Sequence, residues 1–333
     1  MNRSRRDFLQ MSAAALTTTS VPLRRSTLNG KEGSKGRVFQ FTQIDVFTSE
    51  RLQGNQLAVF PDASRLSDDE MQAIARETHL SETTFIFPRD AAMERKRGVK
   101  VRIFTPEQEL PFGGHPTLGT AIVLRNRRTN PTNVSEIALD LRVGRVPVGF
   151  SQDSAGKLFG EMHQVDPLFG KVHDRAEVAT MIGVRPEEIH DEWPIQTVST
   201  GLPFAIVPLR KLTTLQALRP NHEKIDAYFA GEKAGTDFFY ITLETLEPGI
   251  RLRTRGLFAG SEDAATGSAS GCTIAWMVQH GVAKSGEQIH IRQGVEMKRP
   301  SDIYARADSR DGKIINVKVG GNAVEVMQGE YHL

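Results

Sequence analysis

One cysteine, Cys272, is all that 333 residues contain. No intramolecular disulfide can form, and no cysteine-based zinc site can be built from one chain. No run approaches the roughly 18 apolar residues of a membrane span. There is no G-x-x-x-x-G-K-[ST] phosphate loop, no G-x-G-x-x-G turn, no H-E-x-x-H pair and no G-x-S-x-G elbow. Nucleotide hydrolysis, dinucleotide chemistry, zinc hydrolysis and α/β-hydrolase chemistry all lose weight.

A basic body is also missing. The formal net charge is +2, but residues 1–37 hold six Arg and two Lys against one Asp and one Glu, a net of +6. The remaining residues therefore carry −4, which argues against a nucleic-acid-binding face. The basic segment reads as an export signal and linker. Ser4-Arg5-Arg6-Asp7-Phe8-Leu9 resembles a twin-arginine motif, a weakly apolar run follows to Leu23, and Asn29 to Lys35 is rich in Gly, Lys and Ser. The expectation is export to the periplasm, with the folded body starting at 38.

What the body does contain is two glycine-rich stretches of the same design. Pro111-Phe112-Gly113-Gly114-His115-Pro116-Thr117-Leu118-Gly119 follows a strand-like run (99–105) and precedes a helical one (120–126). Ser261-Glu262-Asp263-Ala264-Ala265-Thr266-Gly267-Ser268-Ala269-Ser270-Gly271 follows another strand-like run (250–257) and precedes a helix over 272–280. The first turn of a helix has unpaired N–H groups and a dipole that favours negative charge. Gly114 and Gly267 read as turn glycines that also let backbone approach a ligand. Two such helix starts predict two related halves facing one small anion. Asp263 and Ser268 are residue types that cap helices and can also touch a ligand.

Elsewhere, Ser67-Asp68-Asp69-Glu70 is a capping box that opens a helix to about Thr78. His79 reads as a helix-end histidine, and Cys272 as a packing residue. Alternation predicts strands near 39–47, 57–60, 85–87 and 99–105, a hairpin over 137–150, and further strands at 157–164, 196–199, 204–208, 238–243 and 250–257. Four more close the chain near 288–292, 302–306, 314–319 and 323–327. Helices are expected over 175–182, 212–218 and 221–229. Strands and helices mix without strict βαβ alternation, so the expected class is α+β with mixed sheets.

Leu80-Ser81-Glu82-Thr83-Thr84-Phe85, Phe104-Thr105-Pro106 and the two glycine-rich stretches, in that order and spacing, together resemble the phenazine-biosynthesis PhzF family. The resemblance covers residues 38 to 333. It implies a diaminopimelate epimerase-like fold: two similar domains, each a mixed β-sheet rolled around a central helix, with the active site in the cleft between. The domains would be 38–156, completed by the last strand (321–333), and 157–320. It also implies a homodimer, no cofactor and no metal. By motif, Glu82 takes the acid/base role, and Gly114, His115, Asp263 and Ser268 take substrate-binding roles; Gly267, as a glycine that lets a ligand approach, is expected to bind substrate beside them. Two positions depart from the family pattern: Gly113 stands where Ala is usual, and Ala264 where Pro is usual.

The chemistry expected is movement of a hydrogen on a small carboxylate. That needs a base that becomes an acid, and a carboxyl in a closed cleft can serve as both. Two thiol bases, as in related epimerases, are excluded by the single cysteine. Two alternatives stay open: a non-catalytic binder of small acids on the same scaffold, and a non-thiol racemase or epimerase with Asp263 as the second base. The expected partner is the small carboxylate, with no nucleic acid and no stable membrane insertion.

Overall fold

Two helices of thirteen residues, Gly114–Asn126 and Gly267–Gln279, carry a single charged side chain between them, Arg125. A helix that is uncharged on every side must be enclosed on every side. Gly114 through Val123 of the first and Gly267 through Met277 of the second are indeed buried. The computed structural model, which describes residues 36–232, 236–258 and 261–333, wraps a curved sheet around each. The twin-arginine-like tail lies outside the described residues.

In chain order the helices are α1 (Asp68–Thr78), α2 (Ala91–Arg97), α3 (Gly114–Asn126), α4 (Arg175–Ile182), α5 (Leu212–Ala217), α6 (His222–Phe229) and α7 (Gly267–Gln279). The first eight strands are β1 (Val38–Val46), β2 (Asn55–Phe60), β3 (Glu82–Phe87), β4 (Val99–Phe104), β5 (Glu109–Leu110), β6 (Glu136–Leu141), β7 (Gly144–Gln152) and β8 (Leu158–His163). The rest are β9 (Leu168–His173), β10 (Ile195–Ser199), β11 (Pro203–Leu209), β12 (Asp237–Thr242), β13 (Leu252–Phe258), β14 (Ser261–Asp263), β15 (Ile289–Gln293), β16 (Ser301–Arg310), β17 (Lys313–Gly321) and β18 (Ala323–His332).

The strand pairing repeats. Neighbours run β18-β1-β2-β3-β4-β6-β7-β8, and their directions are antiparallel, antiparallel, parallel, antiparallel, parallel, antiparallel, antiparallel. The series β9-β10-β11-β12-β13-β15-β16-β17 has the same directions in the same order. Short β5 on β4 and β14 on β13 complete the correspondence. Antiparallel β8 and β17 join the two series. In each, three residues after the short strand, the central helix begins: α3 after 111–113, α7 after 264–266. The architecture is α+β, two similar mixed sheets each rolled around a central helix.

The capping box is present. Ser67 Oγ accepts from Glu70 N at 3.2 Å, and Glu70 Oε2 accepts from Ser67 N at 2.8 Å. α1 then buries Met71, Ile74 and Ala75, one face at helical spacing. Four elements were not anticipated. α2 has an Asp90 cap but buries nothing, so it has no apolar period to detect. β5 and β14 are two and three residues long. β9 turns Leu168 and Val172 outward, and so lacks the usual apolar-in pattern.

The cores of the two halves merge: one continuous apolar cluster includes Leu118 and Ile122 of α3 together with Ile274 and Trp276 of α7. The helices also meet end to end. A Cβ added at Gly114 would lie 2.4 Å from the Gly267 carbonyl carbon and 2.4 Å from Ser268 N. This corrects the turn reading of these glycines. Neither Gly114 nor Gly267 has a positive φ; each is the first residue of its helix, and close approach of backbone is what demands glycine. Gly114→Ala should therefore destabilise by about 2 kcal/mol or more, the usual scale of overpacking a rigid site, because backbone and not a flexible side chain must yield. Thermal unfolding measures it, and an unchanged melting temperature would show that the helix ends are not in contact.

Candidate active site

The meeting point of the two helix ends is also where the polar residues converge. N–H groups at the first turn of a helix have no intrahelical acceptor. In α3, Pro116 removes one of them, and Thr117 N already bonds Gly113 O at 3.2 Å, which leaves Gly114 and His115 as donors. In α7, Ser270 N bonds Thr266 O at 2.9 Å, which leaves Gly267, Ser268 and Ala269 ahead of it. Both dipoles direct positive potential at one spot.

Glu82 reaches this spot from the first position of β3. Its Oε2 lies 3.3 Å from His115 Nε2, and its side chain keeps 16% exposure. Both atoms are enclosed, and neither makes a hydrogen bond. Burial pushes the Glu82 carboxyl well above its ordinary value of 4.5, and the charges of Asp263 and then Glu107 push it further. Burial pulls His115 down to about 3, so the ring is neutral at neutral pH. A neutral imidazole thus faces a carboxyl whose charged form burial disfavours.

Asp263 differs from Glu82 in that both of its oxygens are engaged. Oδ1 accepts from Asn55 Nδ2 at 2.7 Å and Oδ2 from Thr266 Oγ1 at 2.7 Å. Burial still raises its carboxyl, against those bonds and the backbone bonds of Ala264 and Ala265. No Lys or Arg is among the groups that shift either carboxyl. Asp263 ends β14 and does not cap α7; the residue at the N-cap is Thr266, which makes no capping bond, and Ser268 is the second residue inside the helix. The cap reading of Asp263 and Ser268 is corrected accordingly. Among the described residues no group of three or more His, Cys, Asp or Glu is placed to hold a metal ion.

All six residues singled out in the sequence lie around this junction: Glu82, Gly114 and His115 from one series, Asp263, Gly267 and Ser268 from the other. Several polar residues beside them were not anticipated. Asn55 at the start of β2 touches His115, Asp263 and the Ala265 carbonyl. Gln293 Nε2 donates to Asp263 O and Thr266 Oγ1, both at 2.9 Å, and its Oε1 accepts from Thr266 N at 3.0 Å. Gln164 Nε2 donates to Gly267 O at 2.9 Å, and Thr200 Oγ1 donates to Gln164 Oε1 at 2.6 Å. Their only sequence signal is polarity next to apolar strand runs. Cys272 is fully buried in α7, with Sγ 3.4 Å from Thr200 Oγ1, and burial lifts its thiol to about 11. It stays protonated and inert.

Comparison with known proteins agrees with this fold. The family model for phenazine biosynthesis-like proteins (PhzC-PhzF) matches residues 44–329. The chain is 34% identical over 298 residues to a Pseudomonas aeruginosa protein named trans-2,3-dihydro-3-hydroxyanthranilate isomerase, covering 88% of this chain and 99% of that protein. A solved Pseudomonas aeruginosa structure, described as a predicted epimerase, superposes with a TM-score of 0.73 at 32% identity, covering 88% and 99% of the two chains. The Bacillus anthracis phenazine biosynthesis protein of the PhzF family superposes at 0.78 with 24% identity, covering 89% and 100%. With family-model coverage of nearly the whole folded body and named isomerases among its relatives, this chain belongs to the phenazine biosynthesis-like (PhzF) family and is an enzyme of the isomerase class.

Proposed function

We propose that the protein moves a hydrogen on a small carboxylate substrate without a cofactor, with Glu82 as the single acid/base. The observation that carries this reading is the contrast between the two carboxyls. Glu82 Oε2 is enclosed with no hydrogen bond of its own, while both oxygens of Asp263 are occupied. A group that must take and return a proton needs a free oxygen at the reacting carbon. A substrate carboxylate between the ends of α3 and α7 meets N–H donors from both helices, and holds the substrate's carbon skeleton against Glu82. Glu82, ionised for that step, removes a proton from one carbon as the double-bond electrons shift. It then returns the proton to another carbon, so nothing is gained or lost overall.

The single free oxygen also weighs against the two-base racemase. The name of the Pseudomonas aeruginosa relative makes trans-2,3-dihydro-3-hydroxyanthranilate the first substrate to assay. The homodimer implied by the family resemblance is part of this proposal, and light scattering on the purified chain reports it.

Glu82→Gln keeps size and shape but cannot carry a proton. Turnover, and solvent deuterium incorporation during it, should fall by about 10²–10⁴-fold, the usual contribution of a general acid–base group. Affinity for a non-reacting analogue should change little. Retained exchange in the variant would remove Glu82 from this role; absence of exchange in the parent protein with every bound acid would favour a binder.

Export through the twin-arginine route is proposed on Ser4 to Leu9 alone. Replacing both arginines, Arg5→Lys with Arg6→Lys, should retain a reporter fusion in the cytoplasm. Undiminished periplasmic delivery would contradict it.

A further inference from the structure

The carboxamide of Asn55 stands between the two halves and is 2% exposed. Its nitrogen lies 2.7 Å from Asp263 Oδ1, 3.0 Å from the Ala265 carbonyl oxygen and 3.1 Å from His115 Nδ1. Its oxygen accepts from Ser81 Oγ at 3.2 Å. The Ala265 carbonyl decides which way the amide points. A carbonyl can only accept, so exchanging the amide's oxygen and nitrogen would set two lone-pair oxygens against each other at 3.0 Å.

The amide in turn decides where the His115 proton sits. The NH2 group has two hydrogens to share among its three neighbours and no acceptor to offer, so a proton on Nδ1 would set donor against donor. Nδ1 therefore presents its lone pair and the proton belongs on Nε2, which is 3.3 Å from Glu82 Oε2. A hydrogen bond to the Gln56 backbone works against the fall in the ring's pKa, so a carbonyl acceptor there competes for the ring proton. The imidazole thus has a choice of partner, and Asn55 makes it. We infer that Asn55 is a positioning residue whose NH2 group fixes His115 as the Nε2–H tautomer, making His115 a hydrogen-bond donor toward the reacting centre and not a second base.

Asn55 is itself held in place from the other series of strands. Gly54, with φ 68°, could not carry a Cβ, which would fall 2.4 Å from the Val46 carbonyl oxygen. Gly54 N donates to Pro300 O at 3.1 Å. Arg299 donates to Gly54 O at 2.8 Å, to Gln53 O at 2.7 Å and to Asp45 Oδ1 at 2.8 Å. Ser301, two residues on, donates to Ala264 O at 2.9 Å. One segment, 299–301, therefore sets the Asn55 loop and the Asp263 loop against each other. Second-sphere bonds fix the tautomer and orientation of metal-binding histidines in the same way.

The inference rests on the proposed role of Glu82 only for its effect on turnover; the tautomer stands or falls separately. Nitrogen-15 histidine NMR on the full chain, with His115 assigned by its loss in His115→Gln, reads the tautomer directly. The expected result is a neutral ring protonated on Nε2. Asn55→Ala should release it toward the Nδ1–H form, with turnover lower by about 10²–10³-fold, the loss found when one oriented donor is removed. Should Asn55→Ala not fold, Asn55→Asp places an acceptor at the same point and should draw the proton to Nδ1. An Nδ1–H or doubly protonated ring in the parent protein would overturn the inference, as would a tautomer unmoved in either variant. Glu82→Gln should leave the Nε2–H tautomer in place, so a failed exchange test would remove the acid/base reading and leave the tautomer result intact.

Discussion

The candidate site of this protein depends on two helix N-termini packed end to end. A helix terminus normally finds caps or water for its unpaired N–H groups. Here neither helix has a side-chain cap: Gly113 precedes α3, and Thr266 precedes α7 without bonding back to it. Removing the caps lets the backbones approach, and glycine at the first position of each helix is the steric condition for that approach. The result is a cluster of donors with converging dipoles in a buried place, where electrostatic interactions are strong. The surrounding sheets serve this contact. Each encloses one uncharged helix, and the merged core fixes how the ends face each other.

That arrangement sets the chemistry of the acids. Glu82 and Asp263 both lie near positive helix ends, yet burial prevails and raises both carboxyls. The two then diverge by hydrogen bonding. Asp263 is fixed by Asn55 and Thr266, whereas Glu82 keeps an oxygen free. Similar groups given different environments take different roles. The repeat in the sheets is not matched at the site. Where β3 starts with Glu82, the corresponding β12 starts with Asp237, whose carboxyl burial pushes up to about 7. Where α3 has His115 in second place, α7 has Ser268. The duplicated architecture brings Glu82 and His115 to the junction from one half, and Asp263 and Ser268 from the other.

Much of this was legible in the sequence, because local signals carried it. The Ser67–Glu70 box, the alternating strands and the two glycine-rich helix starts each depend on neighbours a few residues away. So did α4, found over 175–182 as its composition indicates. What could not be read was whatever forms only across the junction. Asn55 and Asp263 are 208 residues apart, and nothing around Asn55 marks it as more than a loop residue before a strand. Gln293 looks like an ordinary strand end, yet it secures Thr266 and the Asp263 carbonyl. The glycines were found for a partly wrong reason: the pattern suggests turns, whereas the need is for backbone to touch backbone. The α2 helix and the outward-facing β9 escaped because exposed elements lack an apolar period.

The central claim is that the junction holds Glu82 as a carboxyl that is reluctant to ionise, and so able both to give and to receive a proton. Carbon-13 NMR of side-chain carboxyls in the unliganded protein, with Glu82 assigned by its loss in Glu82→Gln, measures this directly. The account predicts a titration midpoint for Glu82 well above the ordinary glutamate value of 4.5. A midpoint at or below 4.5 would contradict it, because Glu82 would then be a fixed anion facing the helix ends.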